Sequence, residues 1–288
     1  MIQIQAMRHD SAALAQYVGL FEKAFPKNAR FTVAYLDWLY NANPDGLAIG
    51  FNAWAGDTLV AHYVCIPTCV EIHGTVVRAM LSLNTATHPA HQGKGLFTRL
   101  ANATYDSAAA MGIEAVYGIA NANSTPGFVK KLGFKLIKPL DAQIGWGTLG
   151  VDWNSVMSRT IFCRQWNNAN LKWRMANPKN TVYMHRRADC AQFFAKAKGW
   201  ALPTYAECRS DLPDMPDMPS QMLRLSNAPP HLYLGLLPEG TRRSSTYVNV
   251  PDVLRPSPLN FIYRSLSGSV QTLDGDGISL SFLDFDAY

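Results

Sequence analysis

Charged residues are scarce in this chain. Lys, Arg, Asp and Glu make up 16% of the 288 residues and leave a net charge of +5, whereas hydrophobic residues make up 48%. Such a composition is typical of a packed protein and argues against a disordered one. No dense cluster of Lys and Arg is present, which argues against nucleic-acid binding, while the mild positive charge suits a small anionic ligand.

Long apolar runs and targeting signals are also missing. No segment approaches the ~20 consecutive apolar residues that a membrane span requires. The first ten residues, MIQIQAMRHD, lack the basic segment and the long apolar segment of a signal peptide. The sequence therefore predicts a cytoplasmic protein with no membrane span.

Cysteine and histidine do not form any recognisable metal motif. The five cysteines are an odd number and include no Cys-x-x-Cys pair, which favours reduced thiols in a cytoplasmic protein. His62, His73, His185 and His231 show no metal-ligand spacing with one another or with cysteine. We expect no metal, and we find no Ser-His-Asp arrangement for nucleophilic catalysis.

The first 150 residues alternate between strand and helix patterns. IQIQAM alternates as a strand does, Asp10 or Ser11 caps the helical segment AALAQYVGLFEKAF, and Pro44 ends a second helix, VAYLDWLYNAN. Three β-rich segments follow, and then a helix that ends at Gly112, a strand, a short helix and further strand. The order βααβββαβαβ predicts an α/β fold in which helices cover both faces of a mixed sheet.

The remaining residues, 151–288, are less regular and predict a second domain. WNSVMSRTIFCRQW has a helical pattern, and three Asp-x-Pro units at 211–220 predict an extended surface connection. The segment WLYNANPDG at 38–46 is echoed by WRMANPKN at 173–180. Coincidence explains so short a match almost as well. The two segments begin at similar distances from the start of each half, however, which favours a tandem duplication with domains at 1–150 and 151–288.

A glycine-rich bend precedes the helix of the first half. In HPAHQGKGLFTRL, residues 88–100, Gly93 and Gly95 let the backbone N–H groups approach a ligand closely, and Lys94 adds a cation. The first N–H groups of a helix lack internal partners and carry partial positive charge, so they bind phosphate readily. The segment is neither a P-loop nor Gly-x-Gly-x-x-Gly. A plain turn between strand and helix is the alternative interpretation.

This bend resembles the Gln/Arg-x-x-Gly-x-Gly/Ala signature of the GNAT (Gcn5-related N-acyltransferase) superfamily, at Gln92, Gly95 and, imperfectly, Phe97. Downstream, NANSTPGFVKKLGFK is similar to the second motif of that superfamily, which ends in Leu132, Gly133 and Phe134. The resemblance covers roughly residues 1–150. It implies a GNAT fold, which we expect as two tandem GNAT-like domains, of which the second is degenerate and has lost the cofactor loop.

The resemblance also implies roles for individual residues toward an acyl-CoA donor. The pyrophosphate would bind the amides of Gln92, Gly93, Lys94, Gly95, Leu96 and Phe97. The pantetheine arm would pair with the end of the fourth strand at Thr85, Ala86 and Thr87. One amide of that stretch, with Thr87 as the candidate, would polarise the thioester carbonyl. Asn121 or Asn123 would hold the pantetheine through its amide side chain, unless both serve only local turns.

Two positions depart from the superfamily pattern. Phe97 stands where a small residue is usual, so its ring should point into the core beneath the helix. Val129 occupies the slot of the tyrosine that commonly acts as general acid, and a valine carries no proton. His88 is the candidate base at the end of the fourth strand, although capping beside Pro89 would equally explain it.

The acceptor site is less well marked. Asn84 could orient an acceptor, and Trp38 and Tyr40 could wall its pocket, although aromatic side chains more often pack in a core. The chain resembles the longer bacterial members of the superfamily, which implies an acceptor such as the amine of a nucleotide-linked amino sugar for lipopolysaccharide and other cell-envelope polysaccharides. The alternatives are another amine, such as an aminoglycoside, a polyamine or a protein lysine, and a non-catalytic acyl-CoA sensor.

Overall fold

The computed structural model describes residues 1–26, 30–188, 190–197, 202–209, 230–243, 246–255, 257–268 and 273–285. The three Asp-x-Pro units at 211–220 lie outside the described residues. All statements below concern the described part of the chain.

The first half follows the predicted order of elements. These are β1 (Ile2–Ala6), α1 (Ser11–Ala24), α2 (Val33–Tyr40), β2 (Ile49–Ala55), β3 (Thr58–Ile72), β4 (Thr75–Thr87), α3 (Leu96–Ala110), β5 (Ala115–Asn121), α4 (Thr125–Lys131), β6 (Lys135–Pro139) and β7 (Asp141–Gly145). The side chain of Asp10 caps α1 by accepting the N–H of Ala13 at 2.9 Å. The last predicted strand divides into β6 and β7 at Leu140.

The second half contains α5 (Trp153–Arg159), β8 (Phe162–Arg164), α6 (Asn168–Met175), β9 (Tyr183–Arg186), β10 (Cys190–Lys196), β11 (Pro203–Arg209), β12 (His231–Leu236), β13 (Val248–Asn249), β14 (Leu259–Ser265) and β15 (Ile278–Ser281). The helix predicted over WNSVMSRTIFCRQW is therefore wrong beyond Arg159. Residues Phe162–Arg164 form β8 instead because they pair with β3, with Cys163 opposite Glu71.

The described strands join into one large mixed sheet. Strands of the two halves pair with each other at several places in addition to the β8–β3 pair. β14 lies between β5 and β6 of the first half, and β7 pairs with β12 of the second half. The division into domains at residue 150 thus stays a prediction, and any division has to accommodate this exchange of strands.

Helices cover the first part of the sheet on both faces, as predicted. On one face α3 and α4 bury a cluster that includes Tyr63, Leu100, Tyr105 and Phe128. On the other face α1 and α2 pack on a larger apolar cluster that runs on into the second half of the chain. Burying one such side chain contributes about 1.5–3 kcal/mol to the free energy of unfolding. Because both faces of the sheet are packed in this way, the ends of β4 and β5 are held in place.

The two echoed segments meet in the core. The rings of Trp38 and Trp173 stack with their centroids 4.8 Å apart. The Nε1–H of Trp38 donates to the carbonyl of Trp173 at 2.8 Å, and the Nε1–H of Trp173 donates to the carbonyl of Trp38 at 2.9 Å. Such a reciprocal contact has local two-fold symmetry, as two copies of one element have when they pack on each other.

The residues after each helix also match. Asn43 Oδ1 accepts the N–H of Asp45, and Asn177 Oδ1 accepts the N–H of Lys179, so both Asn-Pro sequences form the same local turn. The parallel pair β4–β5 of the first half corresponds to the parallel pair β11–β12 of the second. This architecture agrees with the GNAT fold that the resemblance implies, and it is compatible with two tandem GNAT-like units.

Candidate functional site

The site begins where β4 separates from β5. The two strands pair in parallel from Ala79 opposite Ala115 to Ser82 opposite Gly118, and the pairing ends there. Both strands continue, β4 to Thr87 and β5 to Asn121, so a gap opens between them. Backbone groups at the edge of such a gap can pair with an extended ligand as a neighbouring strand would.

A bulge in β4 marks the start of the gap. Leu83 lies opposite Val64 and Ala86 lies opposite His62, so Asn84 and Thr85 together face Tyr63. Asn84 has a φ of +45°, a left-handed conformation that asparagine tolerates better than most residues. The bulge re-aims the backbone of β4 at this point, as bulges next to active sites often do.

The glycine bend closes the far end of the gap. Gly93 and Gly95 have φ values of +75° and +69°, so both need the left-handed conformation that glycine adopts without strain. Gly95 is the N-cap of α3 and offers no capping side chain, which leaves the first amides of a fifteen-residue helix open toward a ligand. The side chain of Gln92 donates to the Thr87 carbonyl at 3.4 Å and ties the bend to β4.

One cavity of about 1450 Å³ connects the bend, the gap and the second half of the chain. Ten of the residues named from the sequence line it: Asn84, Thr85, Thr87, Gln92, Gly93, Gly95, Leu96, Phe97, Asn121 and Asn123. Drug-sized ligands occupy pockets of roughly 300–1,000 Å³. A cavity larger than this range has room for a long donor and an acceptor together.

Apolar residues of the second half form the wall away from the bend. They are Leu232, Leu234, Val250, Val253, Leu254, Leu259 and Phe285. Sequence reasoning missed this wall because its members come from β12, β14 and the segments that follow β13 and β15, and no motif links them.

Trp38 and Tyr40 lie elsewhere, which corrects the expectation that they wall the acceptor pocket. Trp38 is buried against Trp173, and Tyr40 is fully buried beneath β4. Tyr40 acts on the cavity only through Asn84, whose side-chain N–H donates to the Tyr40 hydroxyl at 3.2 Å. The Asn84 Oδ1 in turn accepts from the guanidinium of Arg30, which lines the cavity.

His88 caps the short turn Pro89–His91 instead of facing the cavity. Its Nδ1 accepts the N–H of Ala90 at 3.2 Å, which is the capping role that the sequence left open. Ala86 and Lys94 also lie outside the described lining of the cavity. A ligand in the cavity would therefore contact these two residues only through their backbone or through a change in the Lys94 side chain. His91 does line the cavity, and burial and the charge of Lys94 lower its pKa.

Asn121 and Asn123 line the cavity at the start of α4. The Oδ1 of Asn121 accepts the backbone N–H groups of Asn123 and Ser124, both at 3.0 Å. Asn121 is thus engaged in the local turn that the sequence left open as its alternative role.

Phe97 fills the space between α3 and α4. Its ring contacts Tyr63 and Phe128 edge to face, with centroids 5.9 and 5.2 Å away. A Cβ on Gly127 would come within 3.2 Å of the Phe97 ring, so glycine at 127 provides the space that the large side chain at 97 occupies. Phe97 both packs against the core and lines the cavity.

The charged side chains on the described lining of the cavity are all basic: Arg30, Lys131 and Arg255. Aspartate and glutamate are absent from that lining. A concave site with one sign of charge attracts ligands of the opposite sign. Ser82, which also lines the cavity, was missed because a lone serine inside a strand gives no signal in the sequence.

The described residues contain neither a metal-binding cluster nor a membrane-spanning helix. No group of three or more His, Cys, Asp or Glu residues in this part of the chain is arranged to hold a metal ion. Of the helices described, none is long and apolar enough to cross a membrane.

Comparison with protein families identifies the domain. A family model described as Acetyltransferase (GNAT) domain matches residues 7–137, which is less than half of the chain but includes β4, the glycine bend and α4. GNAT domains use an acyl-CoA as the acyl donor. Residues 7–137 thus match a GNAT acetyltransferase domain, and this match supports an acyltransferase activity for the chain. A search of curated proteins gave no match.

Solved structures support the fold over most of the chain. A probable N-acyltransferase of unknown function from Enterococcus faecalis V583 has 11% sequence identity and a TM-score of 0.60, over 92% of this chain and 73% of its own. A GCN5-related N-acetyltransferase from Anabaena variabilis has 10% identity and a TM-score of 0.60, with coverage of 92% and 73%. One from Kribbella flavida has 12% identity and a TM-score of 0.60, with coverage of 92% and 72%. At these identities the likeness shows the fold alone.

Proposed function

We propose that the chain transfers an acyl group from an acyl-CoA to the amine of a nucleotide-linked amino sugar, by direct attack within a ternary complex. The observation that carries this proposal is the single cavity, which joins a glycine bend at a helix N-terminus to an opened strand edge and whose described charged residues are all basic. A cytoplasmic location belongs to the same proposal, since acyl-CoA is found there and the described cysteines are free thiols.

The donor end of the cavity fits the chemistry of coenzyme A. The amides of 92–97 would hold its pyrophosphate, since a helix N-terminus and a glycine-rich bend both favour anions. The edge of β4 at Thr85, Ala86 and Thr87 would pair with the amides of the pantetheine arm. An N–H of this edge would polarise the thioester carbonyl and stabilise the oxyanion of the tetrahedral intermediate.

The acceptor end favours an anionic molecule over a polycation. Arg30 and Arg255 lie on the described lining, where a polyamine or an aminoglycoside would meet like charge. Asp252, which pairs with Arg255 at 3.3 Å, does not itself line the cavity. A nucleotide diphosphate would meet opposite charge there, and its sugar and base would lie against the apolar wall of the second half.

The first assay compares acceptors directly. Purified protein is incubated with acetyl-CoA and, in parallel, with a UDP- or dTDP-linked amino sugar, spermidine or kanamycin, and acylated products are detected by mass spectrometry. Saturable acylation of the nucleotide sugar in preference to the two polycations is expected. Preferential acylation of spermidine or kanamycin would contradict the proposed acceptor class while leaving the acyltransferase activity intact.

A further inference from the structure

Ser82 lies at the apex of the gap between β4 and β5. It is the last residue of β4 that pairs with β5, opposite Gly118, and it lines the cavity. If the pyrophosphate binds at 92–97 and the pantetheine arm runs along 87 to 85, the thioester at the far end of that arm reaches the apex. This position of the thioester rests on the proposed function, and it places the Ser82 hydroxyl beside the reacting sulfur.

A buried row of hydroxyl groups stands behind Ser82. The Ser82 hydroxyl lies 2.7 Å from the Tyr63 hydroxyl, which lies 2.5 Å from the Tyr105 hydroxyl. Tyr63 and Tyr105 are both buried between the sheet and α3. A hydroxyl donates one hydrogen bond and accepts others, so the row can point its donors from Tyr105 to Tyr63 to Ser82 and on into the cavity.

Burial keeps the two phenols protonated. It raises the pKa of Tyr63 and of Tyr105 well above the usual value for tyrosine. Both groups therefore remain hydrogen-bond donors throughout the neutral and mildly alkaline range in which an amine becomes nucleophilic. The guanidinium of Arg264 lies over the Tyr105 ring, 4.9 Å from its centroid, at the closed end of the row.

The resemblance to the GNAT superfamily implies a slot for a tyrosine acid, and the sequence has valine there. Val129 of α4 occupies that slot, and its partly exposed side chain carries neither a donor nor an acceptor. The departing sulfur must nevertheless be stabilised when the carbon–sulfur bond breaks. In the described lining, Ser82 presents a hydroxyl at the apex that two further hydroxyls support.

We propose that Ser82 is the catalytic hydrogen-bond donor to the leaving sulfur, with Tyr63 and Tyr105 as positioning residues behind it. The acceptor amine forms a bond to the thioester carbon, the carbon–sulfur bond breaks, and its electron pair goes to sulfur. The Ser82 hydroxyl donates to the resulting thiolate without giving up its proton. The surplus proton on the amine nitrogen goes to water, and the products are the amide and free coenzyme A.

The test measures the single-turnover rate with acetyl-CoA and the best acceptor from the preceding assay. Ser82→Ala should lower the rate about 10- to 100-fold, which is no more than the loss typical for removing one oxyanion-hole donor. The affinity for acetyl-CoA should change less than about two-fold. Tyr63→Phe should lower the rate by a smaller factor. The double variant should be no slower than Ser82→Ala alone, because Tyr63 acts through Ser82.

Thr104→Val is the matched control. Thr104 lies next to Tyr105 on α3 and is fully buried, and its hydroxyl donates to the Leu100 carbonyl at 2.8 Å. The variant therefore also loses a buried hydroxyl beneath the sheet. It should leave the single-turnover rate unchanged. An unchanged rate in Ser82→Ala, or additive losses in the double variant, would overturn the role of Ser82. Failure of the wild type to bind acetyl-CoA would instead overturn the proposed function, and this inference with it.

Discussion

Asn84 is held in its left-handed conformation by a row of buried side chains that reaches back to α1. Its amide bonds the Tyr40 hydroxyl, which lies 3.3 Å from Nε2 of His62. Nδ1 of His62 lies 2.7 Å from the Oδ1 of Asn52. Because Oδ1 can only accept, Nδ1 carries the proton and Nε2 accepts from Tyr40. Neutral His62 thus fixes the direction of the row and the orientation of Asn84 at the site.

His62 predicts a pH dependence of stability. Complete burial lowers its pKa from the ordinary 6.5 to about 3. The unfolded chain therefore binds a proton below pH 6.5 that the folded chain binds only near pH 3, so stability is present above pH 6.5 and is lost as the pH falls. Between pH 7 and pH 5 this residue should cost the wild type about 2 kcal/mol in the free energy of unfolding.

Urea unfolding at pH 7 and pH 5 checks this effect. His62→Gln should show a smaller loss between the two pH values than the wild type. His73→Asn is the control, since His73 is exposed and has a φ of +49° that asparagine tolerates. Equal losses in wild type and His62→Gln would show that another group causes the acid sensitivity.

The sequence predicted individual site residues where a motif fixes the backbone conformation. It did not predict them where tertiary packing determines the position of the side chain. Gly93 and Gly95 were identified because glycine before a helix has a specific conformational use. Trp38 and Tyr40 were assigned to a pocket, yet both are buried, because large aromatic side chains pack in cores unless a cavity is available. Ser82 was not found, because its chemistry comes from Tyr63 and Tyr105 across the sheet.

At the scale of elements, local signals predicted most of the first half. Asp10 caps the start of α1, and α3 ends just before Gly112, as the sequence predicts. α2 instead ends at Tyr40, before Pro44 is reached. The bulge at Asn84 could not be predicted, because it depends on how β3 and β4 align after the gap opens. In the second half, β8 was predicted as helix since its pairing with β3 involves residues far away in the sequence.

The bend before α3 predicts a specific effect of charge on donor binding. Gly95 has a φ of +69°, and no atom lies within 4 Å of the position that a Cβ would take. Asn and Asp at this position would therefore bear similar backbone strain. Gly95→Asp adds a negative charge where the pyrophosphate would bind, whereas Gly95→Asn does not. Calorimetric titration should show coenzyme A affinity at least about 10-fold weaker for Gly95→Asp than for Gly95→Asn, because a like charge near a phosphate is unfavourable. Equal affinities would contradict anion binding at the bend.

At the scale of the whole molecule, the two halves differ in what occupies the opened strand pair. β11 and β12 pair only at Thr204–Leu232 and Tyr205–Tyr233 before they separate. β15 then pairs with β12 on the side that β11 leaves, while β7 stays on the opposite side. The gap that corresponds to the donor site of the first half is therefore filled by the chain itself. Sequence patterns could not predict this, since strands from distant parts of the chain form it.

This difference predicts one donor site per chain. Only the first half combines an open strand edge with the glycine bend among the described residues, while β15 occupies the corresponding edge of the second half. Coenzyme A should therefore bind with a stoichiometry of one, although the fold is compatible with two tandem GNAT-like units.

The most direct test of the account is a calorimetric titration of the wild-type protein with acetyl-CoA. We expect one equivalent to bind per chain with a dissociation constant on the order of micromolar, corresponding to about −8 kcal/mol. Absence of binding would mean that the bend and the opened strands form no donor site, and two equivalents would contradict the role assigned to β15.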